Sequence, residues 1–159
     1  MRLTWSEHLS IGNEKIDLDH KLLFGLIEGV EHAMEYRDCT VLSKAFNLLV
    51  SKLRSHFTNE EYIAETVQFP FAQHKKDQQY FLKEVEYLKD ELLCKEGVWC
   101  EAAIKHFSGS LRGLLMDHIT RKDMLMKPFL QKHPYDLTSV GLNHGFVQRF
   151  PDSMGIQQV

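Results

Sequence analysis

Signals that would direct the protein to a membrane or to nucleic acid are missing from its sequence. No apolar run approaches the roughly 18 residues needed to cross a bilayer, and the start Met1-Arg2-Leu3-Thr4-Trp5 lacks the apolar stretch of a secretion signal. The net charge is only -3, the pI is near 6.3, and the basic residues are dispersed along the chain. We therefore expect a cytoplasmic protein with neither membrane nor nucleic acid as a partner.

Disulfide and catalytic motifs are also absent. The three cysteines, Cys39, Cys94 and Cys100, form neither a Cys-x-x-Cys pair nor an even disulfide framework, and so they predict free thiols in a reducing compartment. There is no nucleophile beside a base, no glycine-rich phosphate loop, and no acid pair outside the polar positions described below. We therefore expect a binding protein and not an enzyme.

Proline is rare, with four residues at positions 70, 128, 134 and 151, and this scarcity favours long helices over strands. Along four segments, apolar residues recur in the steps of three and four that mark a buried helix face. The four stripes are Ile16, His20, Leu23, Ile27, Val30 and Met34; Leu42, Phe46, Leu49, Leu53, His56, Glu60 and Ile63; Phe71, His74, Gln78, Phe81, Val85, Leu88 and Leu92; and Ile104, Phe107, Leu111, Leu114, His118 and Leu125. With short connections between them, they predict an all-α fold, an antiparallel up-and-down four-helix bundle.

Polar side chains interrupt each stripe where a bundle core would place Leu or Ile. The six residues are His20, His56, Glu60, His74, Gln78 and His118. Burying one of them without a partner costs on the order of several kcal/mol, so the set must be satisfied together. In an antiparallel bundle, the starts of helices one and three lie level with the ends of helices two and four. All six residues should therefore meet at one end of the core.

Imidazoles and a carboxylate that converge from four helices, without a sulfur ligand, favour a first-row transition metal. A paired metal site is a well-attested use of a bundle core. Any one of these histidines, taken alone, is more often a hydrogen-bonded core residue than a ligand, so the metal interpretation rests on the whole set. The other histidines lie off the stripes and are expected at the surface or at helix ends: His8, His32, His106, His133 and His144.

Short motifs surround these polar positions in all four predicted helices. They are Trp5 and Gly12 ahead of Ile16-Asp17-Leu18-Asp19-His20, then His56-Phe57-Thr58-Asn59-Glu60-Glu61, then Phe69-Pro70 with His74-Lys75-Lys76-Asp77-Gln78, and finally His118-Ile119-Thr120-Arg121-Lys122-Asp123. In combination, the motifs resemble the bacterial hemerythrin family. The resemblance runs from about residue 3 to residue 132 and is specific, because each of the four helices carries the matching residue at the matching step.

The resemblance implies a non-haem di-iron site that binds O2 or another small diatomic ligand, or that reports on O2 and redox state. By position, His20 and His56 would hold the iron that has the open O2 site. The other iron would be held by His74, position 78 and His118. Glu60 and Asp123 would bridge the two irons. Such a protein binds its ligand and does not turn it over.

Asp123 raises a geometric problem. It follows His118 by five residues, which places it roughly 140° around an ideal α-helix from that histidine. For both side chains to face one site, the helix must be distorted. We predict a wide turn near Arg121, such as a π-bulge, which is frequent at functional positions.

Gln78 departs from the family pattern, which has His-x-x-x-His on helix three where this sequence has His74-x-x-x-Gln78. A glutamine amide offers only a neutral carbonyl oxygen, a poorer partner for iron than imidazole. The amide therefore ligates weakly, leaves its place to water or another exogenous ligand, or leaves the second iron loosely bound or absent. The sequence is equally consistent with a Gln78 that replaces the histidine only sterically and hydrogen-bonds a neighbour, which leaves the iron five-coordinate.

Helical periodicity ends after Lys132-His133-Pro134. We divide the chain into an iron-binding bundle, residues 1–133, and a C-terminal extension or linker, residues 134–159. The extension favours a sensor of O2 or redox state that signals to an output domain fused beyond residue 159. A standalone O2 carrier or iron store is the alternative, and a solvated tail explains the extension equally well.

Overall fold

A computed structural model describes residues 4–138. Four long helices follow one another in this range: α1 spans Glu14–Tyr36, α2 spans Cys39–Thr66, α3 spans Ala72–Leu93 and α4 spans Glu101–Asp117. α4 continues without a break into a π-helical segment, His118–Lys122, a 3-10 segment, Asp123–Met126, and a short last helix, α5, Lys127–Leu130. A 3-10 turn, Glu7–Leu9, precedes α1. The predicted all-α fold is confirmed, and the described range contains no strand.

The helix ends explain how α1 turns into α2. Arg37 ends α1 in the left-handed conformation, with φ of 56°, and its N–H donates to the Met34 carbonyl. The next residue, Asp38, caps α2, because its carboxylate accepts hydrogen bonds from the backbone N–H groups of Thr40 and Val41. With only these two residues between them, α1 and α2 must run in opposite directions.

Cross-helix contacts show that the remaining helices are antiparallel too. Between α2 and α3, Arg54 pairs with Glu86 at 2.6 Å, whereas the later Glu61 pairs with the earlier Lys75 at 2.5 Å. α4 lies against both α3 and α1, which closes the bundle. The predicted up-and-down four-helix bundle is therefore confirmed.

The loop between α3 and α4 closes the end of the bundle opposite to the polar residues. Gly97 has φ of +81°, and a Cβ there would lie 3.0 Å from the Arg37 carbonyl oxygen, so only glycine fits this approach. The buried indole of Trp99 donates a hydrogen bond to the Met34 carbonyl at 3.0 Å. The start of α4 is thereby tied to the end of α1.

The core consists of two apolar clusters separated by one polar layer. The larger cluster includes Leu23, Leu53 and Ile119, and the smaller one includes Ile16 and Ile63. The predicted ligand positions fall between these two groups along α1, α2 and α3. After α4, His118 and Asp123 lie between Leu115 of the larger cluster and Met126 of the smaller one. The smaller cluster therefore separates the polar layer from the nearby end of the bundle, and the larger cluster fills the rest of the core.

The fourth apolar stripe is wrong at its end. Leu125 was assigned to the core by its spacing of seven from His118, but its side chain is 60% exposed, and Met126 is fully buried in its place. The π-helical segment contains one more residue per turn than an α-helix, which moves the buried face one position along the chain. Earlier in the stripe, Ile104 and Leu114 are only partly buried.

Residues 134–138, the described start of the predicted extension, pack against the beginning of α1. The Tyr135 carbonyl accepts a hydrogen bond from the Glu14 N–H at 2.8 Å, and the Leu137 carbonyl accepts one from the Asn13 side chain at 2.7 Å. The rest of the predicted extension, residues 139–159, lies outside the described residues. No helix within residues 4–138 combines the length and apolarity needed to span a membrane.

Candidate metal centre

The predicted site residues lie in a single layer of the core. His20 is on α1, His56 and Glu60 are on successive turns of α2, His74 and Gln78 are on successive turns of α3, and His118 and Asp123 are on the π-helical and 3-10 segments after α4. All seven side chains are buried. By contrast, the off-stripe histidines of the described range are exposed, as predicted: His8, His32, His106 and His133. His144 lies outside that range.

The layer contains two groups of possible ligands, which share their carboxylates. We call them the His20 half-site, formed by His20, His56, Glu60 and Asp123, and the His74 half-site, formed by His74, His118, Glu60 and Asp123. Within each half-site, one ligand atom from every residue lies within 4.8 Å of the others. Each half-site thus offers two imidazoles and two carboxylates.

Each shared carboxylate turns one oxygen towards each half-site. Glu60 Oε1 lies 3.5 Å from His56 Nε2, and its Oε2 lies 3.4 Å from His74 Nε2. Asp123 Oδ2 lies 3.1 Å from His20 Nε2, and its Oδ1 lies 3.0 Å from His118 Nε2. This arrangement suits carboxylates that bridge two metal ions.

Hydrogen bonding within the protein does not satisfy this layer. Several atoms of the layer, within the described range, are fully buried and lack a hydrogen bond. They are both ring nitrogens of His20 and of His56, Glu60 Oε1, His118 Nε2 and both carboxylate oxygens of Asp123. A buried polar atom without a partner costs about 1–3 kcal/mol. Several of the close nitrogen–oxygen pairs in the layer therefore lack a hydrogen bond, and a set of nitrogen and oxygen atoms that converges in this way fits a transition metal.

The electrostatics of the layer favour charged carboxylates. Burial opposes ionisation of Glu60, but His56 and the other histidines around it hold its pKa well below the usual range. Burial and Glu60 both disfavour the charge on Asp123, yet the adjacent histidines, His118 first among them, keep its pKa low. Burial likewise opposes protonation of His74, but Asp123 and Glu60 raise its pKa to about 9. A bound cation would replace these protons.

The predicted distortion of the helix near Arg121 is confirmed. The Asp123 N–H reaches back to the His118 carbonyl, five residues earlier, which is the hydrogen bond of a π-turn. The extra residue in this turn rotates Asp123 towards the core, where it is fully buried. The π-turn therefore lets His118 and Asp123 face the same half-site.

Aromatic rings cover the histidines. The His118 ring packs between Phe57 and Phe81, with ring centroids 5.1 and 5.4 Å away. Phe71 lies 4.8 Å from the His74 ring, and Trp5 lies 6.3 Å from the His20 ring. These side chains exclude bulk water from the layer and lower the local dielectric.

Asp19 is a buried part of the site that sequence reasoning missed. It accepts hydrogen bonds from Lys52, Lys15 and Asn59, and its Oδ2 lies 3.6 Å from His56 Nδ1. Burial opposes its ionisation, but His56 and these cations and amide hold its pKa below the usual range. A signal was present, since Asp19 lies three residues after Ile16 and four before Leu23, on the buried face of α1. It places a carboxylate behind the imidazole of His56, where it can orient a ligand.

Gln78 lies in the layer as expected, but its amide faces a carboxylate. Gln78 Nε2 donates a hydrogen bond to Glu60 Oε2 at 2.8 Å. The sequence allowed Gln78 either to ligate a metal or to hydrogen-bond a neighbouring side chain, and this contact is of the second kind.

Comparisons with known proteins agree with this geometry. Residues 11–130 match the family model described as Hemerythrin HHE cation binding domain. The chain is 27% identical over 122 residues to the bacteriohemerythrin of Pseudomonas aeruginosa, a match that covers 76% of each chain. The bacteriohemerythrin of Stenotrophomonas maltophilia is 29% identical over 84 residues, 52% of this chain and 55% of that protein.

Proposed function

Because the chain belongs to the hemerythrin family, we propose that it binds non-haem iron, with one ion in each half-site, and that the iron takes O2 or another small diatomic ligand. The observation that carries this proposal is the pair of four-residue ligand groups sharing Glu60 and Asp123. The bacteriohemerythrin relatives support iron as the metal.

The protein's own residues hold the metal and shield the ligand. Four imidazoles and two carboxylates supply the ligand atoms from rigid helices, and Asp19 orients His56 from behind. Iron, when bound, supplies the redox chemistry that O2 binding needs. The aromatic rings around the layer keep it dry, which favours reversible binding over reaction with water. This is a binding function and not a catalytic one.

Metal content and absorption spectra test this proposal. Metal-free protein is reconstituted anaerobically with Fe(II), and spectra are recorded before and after exposure to air. His20→Ala should lose iron, whereas His32→Ala, which removes an exposed histidine from the same helix, should bind as much iron as the unmodified protein. Equal iron content in both variants, or no iron in the unmodified protein, would contradict the proposal.

We further propose that the protein acts as a sensor whose ligand state reaches its C-terminal extension. Two contacts support this. The Tyr135 hydroxyl donates to Asp17 Oδ2 at 3.1 Å, one turn before His20, and Leu137 packs on the apolar cluster that contains Met126, three residues after Asp123. A shift of His20 or of Asp123 would therefore move the groups that residues 134–138 contact. An output domain fused after residue 159 remains a prediction.

Limited proteolysis tests the sensor proposal. The rate of cleavage within residues 134–159 should differ between the reduced and oxidised iron proteins. Tyr135→Phe, which removes the hydroxyl bonded to Asp17, should make the two rates more alike. Identical cleavage of the unmodified protein in both redox states would exclude this role.

A standalone O2 carrier or iron store is the second candidate, because the matched bundle makes up 76% of the bacteriohemerythrin of Pseudomonas aeruginosa. It predicts repeated, reversible cycling of the absorption spectrum between air and nitrogen. Rapid irreversible oxidation would exclude the carrier and leave the sensor.

A further inference from the structure

Gln78 is placed as a hydrogen-bond donor, not as a ligand. Its Nε2 lies 2.8 Å from Glu60 Oε2, a carboxylate oxygen that also faces His74 Nε2 at 3.4 Å. The amide must therefore turn its NH2 group, and not its carbonyl, towards Glu60. An amide NH2 offers no lone pair to a metal. The position that carries a histidine in the family pattern thus contributes no ligand here.

The consequence is that the two half-sites have equal numbers of protein ligands. The His74 half-site offers two imidazoles and two carboxylates, the same set as the His20 half-site. In the family pattern only the latter has an open position. A metal that prefers six ligands finds fewer than six protein groups on either side.

A surface pocket reaches this position. Gln78 is only 4% exposed, yet it lines a surface pocket of about 210 Å³ between α2 and α3, together with Thr58 and Leu82. The same side chain touches Glu60, so it separates the pocket from the carboxylates. Lys75 lines the pocket as well, paired there with Glu61. Gln78 thus lies between a surface pocket and the His74 half-site.

We infer that the metal of the His74 half-site binds a small anion at the place left open by Gln78, and that the amide of Gln78 donates a hydrogen bond to it. The amide carries two N–H groups, of which one is used by Glu60. The other can stabilise a negative charge beside it. This inference rests on the proposed function, because it requires iron in both half-sites.

Azide binding to the oxidised iron protein tests the inference, with iron content measured on the same samples. The unmodified protein should contain two irons and bind two azide ions per chain. Gln78→His should keep both irons and bind one azide. Gln78→Leu should keep the open position but bind the second azide about tenfold more weakly, because the donor is lost. Gln79→His adds a histidine at an exposed neighbour in the same pocket and should behave as the unmodified protein does.

The outcomes separate this inference from the proposed function. Two irons with a single azide in the unmodified protein would overturn the open position. One iron that becomes two in Gln78→His would also overturn it, because the substitution would then have removed a metal and not opened one. If Gln78→His does not fold, an unweakened second azide in Gln78→Leu still overturns the role of the amide. No bound iron in the unmodified protein would contradict the proposed function itself.

Discussion

Replacing Asp19 by asparagine should weaken metal binding without altering any ligand. Asp19 is 2% exposed and sits between Lys52 and His56. An amide has nearly the same shape as the carboxylate, so the perturbation is the loss of one buried charge. The substitution also places an NH2 group, itself a hydrogen-bond donor, next to Lys52 and Asn59, which both donate to this side chain.

The contacts of Asp19 determine how much stability and how much iron affinity the substitution should remove. A charge-assisted hydrogen bond contributes about 1.5–3 kcal/mol, and the Lys52 side chain is only 17% exposed, so little of this is screened. The pair with Lys15, whose side chain is 45% exposed, adds at most a fraction of a kcal/mol. We expect a loss of about 2 kcal/mol in the free energy of unfolding. Iron affinity should fall about 10- to 100-fold, as for other outer-shell partners of a metal-bound histidine.

Asp17→Asn is the matched control. Asp17 is also buried on α1, but it accepts hydrogen bonds from Ser10, the Ile11 N–H and Tyr135, and within residues 4–138 it pairs with no histidine. Both variants should lose stability in chemical denaturation of the metal-free protein. Only Asp19→Asn should lose iron affinity by more than about threefold in a competition titration with a chelator.

The pH dependence gives a second check on Asp19. Its folded pKa lies below the ordinary value of 3.8, so its contribution to stability is present above about pH 4 and is lost as the pH falls. The difference in unfolding free energy between the unmodified protein and Asp19→Asn should therefore shrink with acidification. Equal iron affinity in the Asp19 and Asp17 variants, or a difference in stability that does not depend on pH, would refute the reasoning.

Three further predictions concern the π-turn and the metal. Met126→Ala should cost about 2–5 kcal/mol of unfolding free energy by denaturation, because the side chain is fully buried, whereas Leu125→Ala should cost less than about 0.5 kcal/mol; the reverse order would mean that the π-turn is absent. Iron binding at pH 7 should release protons, because the pKa of His74 is about 9 in the metal-free layer, and calorimetry in buffers of different ionisation enthalpy measures the number; no dependence on buffer would be inconsistent with this. Chelation of the iron should lower the midpoint of thermal unfolding, since free metal at a hundred times its dissociation constant stabilises by about 2.7 kcal/mol, and an unchanged midpoint would argue against a metal bound in the core.

The helices and most of the core could be predicted because their signal is local and repeated. All residues of the first two apolar stripes are buried, as their spacing indicated. The failure at Leu125 has a physical cause. Residue spacing identifies a buried face only if each turn has the same number of residues, and the π-turn at His118–Lys122 breaks that condition. The spacing of His118 and Asp123 predicts this turn, and the turn shifts the buried face of the residues after it by one position.

The residues of the candidate site were identifiable because polar side chains in an apolar stripe require an explanation. Asp19 and its neighbour His20 both fit the spacing between Ile16 and Leu23, so the stripe alone requires only one of them to be buried. Its partner Lys52 belongs to another helix, 33 residues away, and only the packing of α1 on α2 brings the two together. Contacts of this kind depend on helix rotation, which stripes specify only to within a residue.

The sequence by itself determined the four-helix bundle, the polar layer and the missing histidine at position 78, because each depends on which residue types recur at helical spacing. The tertiary structure decided how those residues face one another. It showed that Glu60 and Asp123 each present one oxygen to either half-site, that Asp19 supports His56, and that Gln78 donates to Glu60. These features depend on the direction of single atoms across helix interfaces, which packing sets and a linear pattern does not contain.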